Sequence, residues 1–261
     1  MSTLVYLYAV VSQPLADTPT GIDDQPIRWV VANGLAAAVS DVSAKDFEEE
    51  PLNAHVKDMA WLGPRAVAHQ EVNARLFESS AAILPLAFGT VFRDDDRVRQ
   101  LLTEHSQQFA ARIAKVRGCA EWVVALHLLR EPSPEDVVAD SPMLQSLRSQ
   151  IAESSPGRAH LLQRQMATLT RDEARRIQAD AVAHVLRALR AIGEDVYQEP
   201  LPSDAVERPL LRASVLLARD AEARFMDEMD RLRRRWPEPT YRLLLTGPWP
   251  PYRFGGLPDD A

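Results

Sequence analysis

Residues 27–39 read IRWVVANGLAAAV, and this stretch contains the clearest fold signal in the chain. Its two apolar runs, Ile27–Ala32 and Leu35–Val39, are separated only by Asn33-Gly34. An Asn-Gly pair accepts the positive φ angles of a type I′ turn, which joins neighbouring antiparallel strands. The stretch therefore predicts a β-hairpin and, with it, an antiparallel sheet.

Three further apolar segments are predicted to be strands in this half of the chain. Leu4–Val11 is rich in β-branched and aromatic residues, which favours a buried strand, and Glu121–Leu129 predicts another. The segment 83–92 contains Pro85 and Gly89, so it predicts a short irregular strand, since proline cannot donate to a sheet.

Two segments with apolar residues at helical spacing lie between these strands. The first covers residues 52–78, and Gly63-Pro64 is the predicted point of division into two helices. The second runs from Val98 to Ile113 and is expected to end at Gly118. This order predicts an antiparallel sheet with helices on one face, in a modified ferredoxin-like arrangement.

The Pro-rich segment Glu131-Pro-Ser-Pro-Glu is the predicted boundary between a domain at 1–131 and a second domain at 132–261. Beyond it, Ser155-Pro156 suits a helix start, because serine can cap and proline fits the first helical position. Apolar spacing continues from there to Ile192, which favours one long helix. A capping box at Thr170-x-x-Glu173 leaves a break there as the alternative.

A small strand–helix–strand unit is predicted after the long helix. Its parts are a strand at Leu210–Ala218, a helix at Asp220–Arg235 and a last strand at Tyr241–Thr246, which Gly247-Pro248-Trp249-Pro250-Pro251 is expected to stop. The sequence thus predicts an α+β protein of two domains, with a ferredoxin-like first domain and a second domain of long helices plus this unit.

Composition excludes several classes of protein. The 261 residues have a formal net charge of −7 and include one cysteine, Cys119, so neither a basic nucleic-acid-binding arm nor an internal disulfide is expected. No apolar run approaches the ~20 residues that span a bilayer. A soluble, intracellular protein is the expectation.

The sequence carries no recognisable motif for a catalytic, cofactor or metal site, and none is predicted. His69, near Glu71, is the best acid–base pair that can be constructed, and the structural interpretation is favoured over it. Arg231 and Arg233–Arg235 cluster at the end of a predicted helix. There they would stabilise the helix dipole, with an acidic partner as the alternative.

Six short segments stand in order along nearly the whole chain. Four of them are VYLYAVV at 5–11, GLAAAVS at 34–40, GCAEWVV at 118–124 and SPGRAHLL at 155–162. The two most specific are Pro-Leu-Ala-Phe-Gly-Thr at 85–90 and Gly-Pro-Trp-Pro-Pro-Tyr at 247–252. Together they resemble the gas vesicle protein F/L family. These segments do not separate F members from L members.

The resemblance implies a non-enzymatic accessory or minor structural protein of gas vesicles, located with them in the cytoplasm. It implies two α+β domains and association with the small hydrophobic gas vesicle shell protein, with other gas vesicle accessory proteins and with shell nucleation. The alternatives are a small-molecule sensor or enzyme on a ferredoxin-like domain, and an oligomeric scaffold that uses the long helix.

Two irregular segments, residues 85–92 and residues 249–252, are the predicted partner interface. Each has a structural alternative, a bent core strand for the first and a packed terminal clasp for the second. A shell subunit exposes apolar surface and strand edges before assembly, and a soluble acidic protein could cover these. The candidate residues are Pro85, Phe88, Gly89, Thr90, Phe92, Trp249, Pro250, Pro251 and Tyr252.

Overall fold

A computed structural model describes residues 2–16, 18–202 and 207–256. Its strands are β1 (Thr3–Val11), β2 (Arg28–Ala32), β3 (Leu35–Ser43), β4 (Leu84–Pro85), β5 (Val91–Phe92), β6 (Cys119–Leu128), β7 (Asp195–Gln198), β8 (Arg208–Ala218) and β9 (Tyr241–Trp249). Its helices are α1 (Ala44–Phe47), α2 (Glu49–His55), α3 (Met59–Ser79), α4 (Asp95–Glu104), α5 (Ser106–Val116), α6 (Pro134–Asp140), α7 (Pro142–Ala152), α8 (Pro156–Ile192), α9 (Glu222–Arg235) and α10 (Tyr252–Gly255). The α+β class predicted from sequence is confirmed.

The first sheet has the order β2-β3-β1-β4, and β5 also pairs with β1. The predicted hairpin is confirmed: β2 and β3 pair antiparallel up to Ala32 opposite Leu35. Asn33 has a φ of 48° and Gly34 a φ of 73°, both positive as a type I′ turn requires.

Helices cover both faces of this sheet, so the expectation of helices on one face was wrong. Val5 and Leu7 of β1 belong to an apolar cluster with residues of α4 and α5, whereas Tyr6 and Tyr8 belong to another with residues of α1 and α3. The register of β1 against β3 shifts between Leu7 and Ala9, as at a β-bulge. A strand with both faces covered is apolar throughout and does not alternate with polar residues.

The division within residues 52–78 lies before Met59 and not at the predicted Gly63-Pro64. Asp58 starts α3, because its carboxylate accepts a hydrogen bond of 2.9 Å from the Ala60 N–H. Pro64 lies inside α3, where it cannot donate to a carbonyl one turn earlier. The predicted second helix is likewise two helices, α4 and α5, which meet at His105.

The single long helix predicted after Ser155 is confirmed as α8, which has 37 residues and spans roughly 55 Å. Thr170 is buried inside it and starts no new helix. Strand β7, directly after Gly193, was not predicted because its four residues are too short to show a period.

The second sheet has the order β7-β8-β6-β9. Strand β9 runs to Trp249, three residues past the predicted end at Thr246, and ends within the segment Gly247–Pro251 that was expected to stop it. Strand β9 is at the edge of its sheet, so backbone N–H groups on its outer side donate to no neighbouring strand. A proline, which has no N–H, is tolerated at such a position.

The chain divides into two compact units, neither of which is one continuous stretch. The first unit consists of the chain up to Trp122, Leu216–Asp220 and the chain from Thr246 onward, and the second of Val123–Val215 and Ala221–Leu245. The domain boundary between residues 131 and 132 stays a prediction. Within the described ranges, none of the helices combines the length and apolar character that crossing a bilayer requires.

Candidate interaction site

The segment between β4 and β5 leaves the edge of β1 and rejoins it. The Leu86 N–H donates to the Tyr8 carbonyl at 2.8 Å, and the Leu7 N–H donates to the Thr90 carbonyl at 2.9 Å. Both ends of the segment are therefore fixed to the backbone of the same strand.

A tight turn at Ala87–Thr90 forms the tip of this segment. The Thr90 N–H and the Thr90 hydroxyl both donate to the Ala87 carbonyl, at 3.3 and 2.8 Å. Gly89 has a φ of 86°, which the third position of a type II turn requires. The Gly89 N–H donates to Tyr6 Oη at 3.0 Å, so a buried tyrosine fixes the turn from below.

Tyr6 belongs to a buried cluster of polar and aromatic side chains. Its Oη lies 2.9 Å from His69 Nδ1, and His69 Nε2 lies 3.0 Å from Asn73 Nδ2. The Tyr8 ring stacks on the His69 ring with centroids 5.8 Å apart, and Phe88 packs edge-on against Tyr6 at 6.0 Å. The turn and the helix α3 thus share one set of contacts.

Burial determines the protonation states in this cluster. It lowers the pKa of His69 to about 4 and raises the pKa of Tyr6 and of Tyr8. All three side chains are therefore neutral at pH 7. Glu71 is exposed, two residues further along α3 than His69, so the acid–base pair considered from sequence is not formed.

The C-terminal tail is packed at most of its positions. Pro250 and Pro251 are buried, and the Tyr252 hydroxyl donates to Gln70 Oε1 at 2.8 Å. Burial raises the pKa of Tyr252 to about 12. Trp249 differs, because 41% of its surface is exposed.

Replacing Tyr252 by phenylalanine is expected to lower the free energy of unfolding by about 1 kcal/mol, because it removes one neutral hydrogen bond. The matched control is Trp249→Phe, three residues earlier, which removes only a long, exposed hydrogen bond of 3.4 Å to the Thr246 hydroxyl, with an expected change within about 0.5 kcal/mol. Urea denaturation measures both. Equal losses in the two variants would contradict the assignment of the Tyr252–Gln70 bond.

The two predicted interface segments meet at β4. A Cβ added to Gly255 would lie 3.2 Å from Pro85 Cδ and 3.3 Å from Leu84 Cα, so α10 packs closely on the backbone of β4. Pro85, Pro250 and Pro251 are buried, whereas Phe88, Gly89, Thr90, Phe92 and Tyr252 are half-buried. The sequence alone did not indicate His69, Asn73 or Gly255 as parts of this site. The two adjacent glycines at 255–256 were the one sequence feature that could have indicated the close backbone contact at Gly255.

Strand β5 presents an edge on which no further strand pairs within the described part of the chain. Tyr6 lies opposite Val91, one position from the hydrogen-bonded pair of Leu7 and Thr90. Hydrogen-bonded and non-hydrogen-bonded pairs alternate in antiparallel sheets, so the Val91 N–H and carbonyl point away from β1. Val91 and Phe92 are also half-exposed apolar side chains.

Comparisons with known proteins agree on one family. Residues 4–255 match the model of the family described as gas vesicle synthesis protein GvpL/GvpF. The chain is 31% identical to gas vesicle protein L of Streptomyces sp., covering 100% of this chain and 96% of that protein. It is 32% identical to gas vesicle protein F of the same organism, covering 97% and 99%.

Two crystal structures share the fold. The gas vesicle protein GvpF of Anabaena sp. has a TM-score of 0.72 at 16% identity, and GvpF of Microcystis aeruginosa has a TM-score of 0.68 at 18% identity. Each comparison covers 97% of this chain and 98% of the other. With the family match over nearly all its residues, the chain belongs to the GvpL/GvpF family of gas vesicle synthesis proteins.

Proposed function

We propose that this chain binds the gas vesicle shell protein and assists nucleation and assembly of gas vesicles in the cytoplasm, in part by keeping the shell protein from aggregating. The role is non-enzymatic. Membership of a family involved in gas vesicle formation supports a role in gas vesicle assembly. The observation that carries the proposal is the free edge of β5, with outward backbone groups at Val91 and apolar side chains beside them.

A free strand edge can bind an extended segment of another chain through backbone hydrogen bonds. An unassembled shell subunit would itself expose apolar surface and strand edges, which promote aggregation. Pairing with β5 would satisfy such an edge, and the formal net charge of −7 would keep the complex dispersed. The Phe88–Thr90 turn and Trp249 are further candidate contacts.

Co-expression with the shell protein of the same gas vesicle system tests the proposal. The wild-type chain, carrying an affinity tag, is expected to retain shell protein in the soluble fraction and to co-purify with it. Val91→Pro keeps an apolar side chain but removes the outward N–H, so less shell protein should co-purify. Failure of the wild-type chain to retain the shell protein would overturn the proposed function.

The matched control is Val31→Pro in β2, the opposite edge strand of the same sheet, where Val31 is 53% exposed. It should bind the shell protein as the wild type does. Trp249→Ser tests Trp249 as a further contact. Leu244→Ser is its control, because the Trp249 and Leu244 side chains lie on the same strand and are 41% and 43% exposed. Melting temperatures of all four variants identify losses that come from unfolding. Equal losses in Val91→Pro and Val31→Pro would exclude the β5 edge as the binding site.

A further inference from the structure

A cleft of about 530 Å³ lies in the second unit, between one face of α8 and the end of α9. Helix α8 contributes Arg176, Asp180, His184 and Arg187 at intervals of three or four residues, so these side chains share one face. Arg235 and Trp236 close the cleft from the end of α9. A volume of this size accommodates a small-molecule ligand.

The charges in the cleft are only partly balanced. Arg176 is paired with Glu173 and Asp180, each at 2.7 Å, so its charge is neutralised within α8. Among the described residues, no carboxylate pairs with Arg187 or with Arg235. The Arg235 guanidinium instead lies 4.8 Å from the centre of the Trp236 ring.

The helix dipole explains the basic cluster of α9 only in part. Arg231 pairs with Glu228 at 2.9 Å and Arg233 pairs with Asp230 at 3.0 Å, as expected for exposed residues near a helix end. Arg235, at the last position of α9, lies in the wall of the cleft instead. An acidic partner was the alternative role considered for this basic cluster from sequence. The position of Arg235 in the cleft wall favours that alternative for this one arginine.

Trp236 forms part of the wall of the cleft. Its Nε1 is shielded from solvent and has no hydrogen-bond partner among the described residues, so an anion in the open cleft does not reach it. His184 packs edge-on against the same ring with centroids 6.3 Å apart, and this contact holds the ring in the wall beside Arg235.

We infer that this cleft binds a small polyvalent oxyanion, held by Arg187 and Arg235 beside the Trp236 ring. Guanidinium groups match phosphate and carboxylate oxygens with paired hydrogen bonds. Arg176 balances only one of the two carboxylates that it contacts, Glu173 and Asp180, so one negative charge remains there against the two positive charges of Arg187 and Arg235. Binding at this cleft is separate from the proposed shell-protein edge on β5.

Calorimetric titration of the full chain at low ionic strength tests the inference with two probes, inorganic pyrophosphate and citrate. Saturable binding of one anion per chain is expected. Binding of pyrophosphate alone assigns a phosphate ligand, and binding of citrate alone assigns a carboxylate ligand. Binding of both assigns recognition of charge, and binding of neither overturns the inference.

Variants locate the binding. Arg187→Gln and Arg235→Gln should each weaken it about tenfold or more, because each removes a charged hydrogen bond. The control is Arg190→Gln, an exposed arginine near the end of the same helix and outside the cleft. A loss in Arg190→Gln equal to that in Arg187→Gln would show non-specific attraction and overturn the site.

Discussion

Lowering the pH from 7 to 4 is expected to reduce the free energy of unfolding of the wild-type chain by roughly 3 kcal/mol more than that of a His69→Gln variant. Burial lowers the pKa of His69 from 6.5 to about 4 in the folded chain. Between these values the unfolded chain binds a proton that the folded chain does not. Stability is therefore lost as the pH falls from about 6.5 to about 4, and this contribution levels off below.

Urea denaturation at intervals from pH 7 to pH 4 measures the effect. The carboxylates that titrate in this window are present in both proteins, so their contributions cancel in the difference. His160→Gln is the control, because it makes the same substitution at an exposed histidine on α8. Parallel curves for the wild type and His69→Gln would contradict burial of a neutral His69.

Replacing Gly247 by alanine is expected to lower the free energy of unfolding by roughly 3 kcal/mol. Gly247 has a φ of 139°, a conformation that residues with a Cβ rarely adopt. A Cβ there would lie 2.8 Å from Trp122 Cε3 and 2.9 Å from the Glu121 carbonyl oxygen. Strain and overlap therefore act together, and the backbone oxygen cannot rotate away as a side chain could.

Gly157→Ala is the matched control for this substitution. Apart from its own helix backbone and chain neighbours, no atom lies within 4 Å of the Cβ that would be added, and Gly157 lies in the first turn of α8. Alanine there should leave the free energy of unfolding unchanged or raise it by up to about 1 kcal/mol, since glycine weakens a helix. The midpoints of urea denaturation compare the two variants. An unchanged midpoint for Gly247→Ala would contradict the close packing of β9 against Glu121 and Trp122.

Features determined by a few neighbouring residues could be predicted from the sequence. The Asn33-Gly34 hairpin follows from two positive φ angles, and the start of α8 follows from Ser155-Pro156. The continuous apolar run of β1 also indicates a strand that is buried on both faces. The prediction of helices on one face of the sheet did not take this into account.

The interaction site could be predicted only in part. The segments 85–92 and 249–252 were identified from their irregular sequences, but not their meeting at β4, which depends on the contact of Gly255 with Leu84 and Pro85. The partners of His69 were also inaccessible, since Tyr6 lies 63 positions away in the chain. Whether these segments bind a partner stays a prediction.

The sequence by itself determined the α+β class, the first hairpin, the length of α8 and the family resemblance. Each of these depends on residues close together in the chain or on an ordered set of short segments. The tertiary structure alone decided the edge position that lets β9 continue through Pro248. It also decided the neutral state of His69 and the free edge of β5. These depend on which distant residues remove water from a group or leave it exposed, and local sequence does not encode that.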